Sequence, residues 1–145
     1  MSTFAVILTS TNICDNVVVW DDTLGPWTPP ADHYTVNIVG LSAGIGWYYN
    51  QSTNVWTAPP TLDASFSPAP IVLTQGTSLT WAAQNADSVV LSTNPGEIFP
   101  ANGALGYTPT AIGKFSVTVT ATGLAGIVST IASVNVVATQ AELVN

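Results

Sequence analysis

Lys114-Phe115-Ser116-Val117-Thr118-Val119-Thr120-Ala121 alternates apolar side chains with polar ones without a break. In an extended chain successive side chains point to opposite faces, so Phe115, Val117, Val119 and Ala121 line one face and Lys114, Ser116, Thr118 and Thr120 the other. A turn, Gly123 to Gly126, follows, and a second strand then buries Val128, Ala132, Val134 and Val136. The uncharged run from Phe115 to Ala141 is long enough to suggest a membrane span. Its recurring Ser and Thr deny it the sustained apolarity that insertion requires. It reads as a half-buried strand pair.

Working outward, Pro and Gly recur at the spacing of short strands, and no window carries an apolar stripe of helical period. Ile71 and Leu73 share a face of one strand, and Leu79 and Trp81 a face of the next, with Ser78 and Thr80 turned outward. Further strands are expected over Asp87–Thr93 and Ala104–Thr108. This series of short antiparallel strands within about eighty residues predicts a β-sandwich over residues 63–145. The densest proline region, Ala58 to Pro70, reads as a linker. Before it, residues 1–62 form a second module. Phe4–Leu8 and Val17–Trp20 suggest a hairpin across Thr9–Asn12. Tyr34–Val39 is another strand, and Gly44–Tyr49 pairs with Val55–Thr57. The whole is all-β: a small N-terminal β-meander, then a sandwich.

Composition removes several classes of function. The chain has 145 residues, 47% of them apolar, which suffices for a core, but only 6% are charged. It has one Lys or Arg side chain (Lys114) against eight acids and a net charge of −7. One cation cannot displace counterions from phosphates, so nucleic acid is not an expected partner, and anionic membrane surfaces fail for the same reason. Five Trp and many β-branched residues argue against disorder. One cysteine, Cys14, permits no internal disulfide. Residues 2–12 lack the basic segment of a secretory signal.

Two stretches carry family resemblances. Gly76-Thr77-Ser78-Leu79-Thr80-Trp81 with Asn85–Val89, then Pro109-Thr110 and Gly113–Ala121 through Gly126, resemble small bacterial and phage immunoglobulin-like domains over roughly residues 65–139. The chain departs from antibody-type domains in lacking both bridging cysteines, and Phe115 stands where such hairpins often carry Tyr. Phe4–Ile7, Val17–Asp21, Gly44–Tyr49 and Thr57–Pro60 are similar to a small module of tailed-phage structural proteins. Asn50 replaces that module's more usual Asp. Together the resemblances imply a virion protein on the particle exterior, contacting the major capsid protein or tail proteins. Modules this small without a disulfide or metal site are in addition expected to gain stability as a homo-oligomer, a trimer among the candidates. A capsid decoration protein is the first expectation. A tail fibre or baseplate component is the second, and a host-glycan-binding module the third.

Catalytic and metal chemistry find little footing in the residues. His33 sits in a loop beside Asp32, and adjacency gives no triad geometry. Cys14 has no basic neighbour to lower its thiol pKa and reads as a half-buried strand residue. Asp21, Asp22 and Asp32 bracket one loop and offer hard oxygen ligands, but without the spacing of a calcium loop. Asp63, Asp87 and Glu97 are scattered loop acids. No catalytic residue, metal site or cofactor is therefore expected.

Aromatic crowding is the stronger signal. Trp20, Trp27, Trp47 and Trp56, with Tyr34, Tyr48 and Tyr49, fall within the first module. Trp47 and Trp56 are expected to face each other across their hairpin. A module this short hides large rings poorly. Of Tyr48 and Tyr49, one must leave the core face. Trp27, in Gly25-Pro26-Trp27-Thr28-Pro29-Pro30, sits in a stiff loop. Trp20, Trp27, Trp56 and Tyr49 are thus the candidates for partner contact, since exposed rings mark interaction surfaces.

Overall fold

A computed structural model describes residues 1–141 of the chain, so the last four residues of the 63–145 module lie outside the described residues. The chain is all-β. Its strands are β1 (Ser2–Leu8), β2 (Ile13–Trp20), β3 (His33–Asn37), β4 (Tyr48–Asn50), β5 (Val55–Thr57), β6 (Thr61–Ser67), β7 (Ile71–Val72), β8 (Thr77–Gln84), β9 (Ser88–Leu91), β10 (Asn102–Tyr107), β11 (Gly113–Gly123) and β12 (Gly126–Val137). A 3-10 turn, Asp22–Leu24, follows β2. No helix among the described residues is long and apolar enough to cross a membrane. The chain divides into two compact units, Met1–Pro59 with Leu124–Gly126, and Pro60–Gly123 with the chain from Ile127.

The first unit is one five-stranded sheet in the order β3-β1-β2-β4-β5. This departs from the expected meander, in which strands would lie in chain order. The reason is in β1: Ala5, Val6 and Ile7 are buried although successive residues face opposite sides, so β1 takes an interior place, between β3 and β2. The strand β3 then returns to its open edge, pairing Ile7 with Tyr34 and Ala5 with Val36. The β1–β2 hairpin holds Ala5 opposite Val17 and Ile7 opposite Cys14, and its register slips between Val6 and Ile7. Ala5, Ile7, Cys14, Ile38 and Tyr49 form the core of the unit.

The second unit has two sheets, β10-β8-β6 and β7-β12-β11-β9. Their inward residues form one core: Phe66, Leu79 and Trp81 from the first sheet, and Val89, Val117, Val119, Ala132 and Val134 among those from the second. Leu79 lies between Phe66 and Leu105, and Trp81 between Ala64 and Gly103. A Cβ on Gly103 would stand 2.5 Å from the Trp81 ring, so only glycine leaves the indole its place. The Trp81 indole N–H donates to the Pro100 carbonyl at 3.0 Å, satisfying its polar handle inside the core.

Two sequence readings need correcting. The proline-rich stretch 58–70 is not a linker throughout, because β6 occupies its middle. Leu62, Ala64 and Phe66 turn inward and alternate with exposed Thr61, Asp63 and Ser65. The prolines stand at the ends of β6, where no ladder N–H is needed. Nor do Trp47 and Trp56 face each other: β4 starts at Tyr48, and Trp56 stands opposite Tyr49. Trp47 precedes the strand, and its carbonyl accepts the Cys14 N–H at 2.9 Å.

Candidate functional site

The four aromatic candidates have distinct surroundings in the first unit. Tyr49 is 8% exposed and belongs to the core, so it has no face to offer a partner. Of the adjacent tyrosines it is Tyr48 that stays half-buried. The Tyr49 ring lies 4.7 Å from the Trp56 ring and 6.5 Å from that of Tyr34. Each tyrosine hydroxyl is satisfied, Tyr49 donating to Asn54 Oδ1 at 2.7 Å and Tyr34 to Asn12 Oδ1 at 2.9 Å. Burial pushes the Tyr34 hydroxyl above its ordinary pKa. Trp56 packs on this cluster and is half-buried.

Trp20 ends β2, and Trp27 lies in the loop that follows it. The Trp20 indole N–H donates to the Gly25 carbonyl at 2.7 Å, which pins the start of Gly25–Pro30 to the sheet. Gly25 has φ +91°, a conformation that suits glycine. Asp21 caps the turn before it, accepting from the Thr23 hydroxyl at 2.7 Å and the Thr23 N–H at 3.0 Å. Trp27 is half-buried. Among the described residues it alone of the four candidates has no hydrogen bond or ring pairing.

Sequence reasoning missed several exposed apolar side chains of this unit. Val19, Leu24, Val39, Leu41 and Ile45 are all more than half exposed. Three of them lie in Ile38–Gly46, a non-strand stretch in which Ile38 is buried and Ala43 packs on the core. The signal was available: apolar residues interleaved with Gly40, Gly44 and Gly46 cannot all point inward from an irregular loop.

The acids and His33 are engaged locally. The Asp22 carboxylate accepts from the Ser2 hydroxyl at 2.9 Å and pairs with the terminal ammonium at 3.1 Å, and the Ser2 bond is the main cause that lowers its pKa. The Asp21 pKa is lowered chiefly by the Thr23 hydroxyl. Among the described residues no three His, Cys, Asp or Glu side chains converge as metal ligands. His33 Nε2 lies 2.6 Å from Asp15 Oδ2, and its Nδ1 lies 2.7 Å from the Ala31 carbonyl. Asp15 is the extra residue where the β1–β2 register slips, and such a bulge re-aims a side chain. Both ring nitrogens face acceptors, which favours the doubly protonated imidazolium; the Ala31 carbonyl is the larger cause of its raised pKa and the Asp15 carboxylate the next. Cys14 is buried, donates its thiol to the Asn16 carbonyl at 3.1 Å, and has its pKa raised mainly by burial. This is an inert setting rather than that of a nucleophile.

In the second unit a cavity of about 420 Å³ is lined by Tyr107, Ile112, Lys114 and Phe115 among others. No carboxylate, histidine or cysteine stands among its lining residues.

No family model matches this chain, and no curated protein matches it. A solved structure to which it is similar is the crystal structure of an engineered protein, a structural genomics target, at 19% identity and a TM-score of 0.37. The match covers 55% of this chain and 20% of that one, so this chain spans about a fifth of that protein's length.

Proposed function

We propose that this chain is a non-enzymatic structural protein of a tailed-bacteriophage virion, a capsid decoration (cement) protein on the particle exterior that assembles as a homo-oligomer. The first unit is the anchor, and the second is an immunoglobulin-like domain. The observation that carries the reading is the surface of the first unit. A pinned loop presents half-exposed Trp27, which has no hydrogen bond or ring pairing among the described residues, and Leu24, Val39, Leu41 and Ile45 stand exposed around a small core. Such surfaces suit contact with another protein. The plan of the second unit, β6-β8-β10 facing β7-β12-β11-β9, supports the immunoglobulin-like assignment. Mechanically, a decoration protein adds contacts across capsomer boundaries and so opposes the pressure of packaged DNA.

Antibody labelling of phage particles assembled with this protein tests the proposal. Label over the capsid surface is the expected outcome. Label confined to the tail moves the protein to a fibre or baseplate, and particles without label overturn the virion reading. Saturable binding of host polysaccharide by the free protein would instead favour a glycan-binding module.

A further inference from the structure

The strand β12 leaves a long edge open. Its neighbours are β11 on one side and β7 on the other, and β7 meets it at Val136 and Val137. The direction of its backbone groups follows from side-chain pairs. Ser116 Oγ lies 2.8 Å from Ser133 Oγ, and Thr120 Oγ1 lies 2.9 Å from Ser129 Oγ, which sets these residues opposite one another. The Thr118 and Thr122 carbonyls accept from Ser92 and Asp87 N–H groups, so the even-numbered residues of β11 aim their backbone at β9. Val117, Val119 and Ala121 must then bond β12, through Ala132, Thr130 and Val128. The N–H and C=O groups of Ile127, Ser129, Ile131 and Ser133 therefore point to the open edge. Among the described residues no strand covers them.

We propose that two copies of this chain pair antiparallel along this edge, joining the four-stranded sheet of each into one continuous sheet. The inference rests on the reading above that the protein assembles with itself, and it names the surface. Three observations select a second copy as the occupant. The outward side chains of Ile127-Val128-Ser129-Thr130-Ile131 read Ile, Ser, Ile in either direction, with Ile127 68% and Ile131 66% exposed. A twofold axis at Ser129 thus sets each Ile127 opposite the twin's Ile131, covering both isoleucines, as an isologous interface requires. The run 115–141 carries no charge in a chain of net charge −7, so like-charged copies approach here without placing acid against acid. Between Ile127 and Ser133 there is neither the Lys nor the Pro with which exposed edges are commonly protected.

Sedimentation velocity on the full chain tests this. The wild-type protein should sediment at twice its 15.0 kDa. Ser129→Pro removes an edge donor without touching the β11 ladder, and Ile131→Lys charges the contact. Both should sediment as monomers with an unchanged far-ultraviolet circular dichroism spectrum, and if one fails to fold the other decides. Ile127→Asp should also be monomeric, and mixing it with Ile131→Lys should restore a dimer, because the register places the two substituted residues opposite each other. A wild-type protein that stays monomeric to its solubility limit overturns the proposal. So does an assembled protein whose mass neither edge variant changes, which leaves self-assembly standing through another surface. Failure of the mixture to re-form a dimer overturns the register. A monomer that still labels capsids removes this proposal and leaves the virion reading intact.

Discussion

The two units solve the same burial problem with different means. The second sets two sheets face to face, and thirteen buried residues form its core, from Phe66 to Val136. The first has a single sheet, and its buried cluster holds five residues, supplemented by Tyr34, Val36, Ala43 and Trp56 at its margin. A second layer lets a strand hide every alternate side chain. A lone sheet must use loops and large rings for the purpose, which leaves apolar side chains such as Leu41 and Ile45 outside. The weaker core thus leaves the first unit apolar loop surface, whereas the second exposes isoleucines such as Ile127 and Ile131 along a strand.

The largest effect should separate the cores directly. Leu79→Ala, at a site with no exposure, should cost about 2–5 kcal/mol by chemical denaturation, toward the upper end because two sheets hold the cavity open. Ile7→Ala is equally buried but should fall toward the lower end, where a single sheet and its loops can collapse on the gap. Equal losses would end the contrast.

Next comes Trp27→Ala, which should leave the unfolding midpoint unchanged and weaken capsid attachment by about 2 kcal/mol or more, the range of an anchoring residue. That corresponds to about 30-fold in affinity. Unchanged occupancy on the particle would remove Trp27 as an anchor. Trp20→Phe should cost about 1 kcal/mol of stability through the lost bond to Gly25. Its effect on attachment should be smaller than that of Trp27→Ala, since it loosens the loop rather than deleting the contact.

The smallest effect is a pH dependence confined to the first unit. His33 is the chain's one histidine, and its pKa is raised in the folded state. Its contribution is therefore fully present below the ordinary histidine value, about 6.5, and is lost as pH rises through the folded value. The Asp15 carboxylate is about half exposed to solvent, which screens the pair, so the loss is modest. Asp15→Asn should flatten the dependence in this window, measured by thermal melts across neutral pH. An unaltered slope would show that the pair carries none of it.

How far the sequence reaches is visible in particular residues. Strict alternation over 114–121 determined the half-buried strand and its inward face, and Val117, Val119 and Ala121 are fully buried. Leu79 and Trp81 were likewise legible, because the period of a strand needs no partner to be read. Where punctuation and periodicity competed, the text misled: prolines masked β6, although Leu62, Ala64 and Phe66 alternate beneath them. The aromatic set was visible as composition, but which ring faces the core depends on where β4 begins. A shift of one residue exchanges Tyr48 and Tyr49, and pairing with β2 on one side and β5 on the other fixes that register. Partners distant in sequence were out of reach for the same reason. Asp15 meets His33 through a bulge and a crossover that places β3 beside β1, and β12 keeps an open edge because β7 is only two residues long. Local alternation is set by the chain's own geometry, whereas strand order, register and open edges are set by which strands outcompete others for the centre of a sheet.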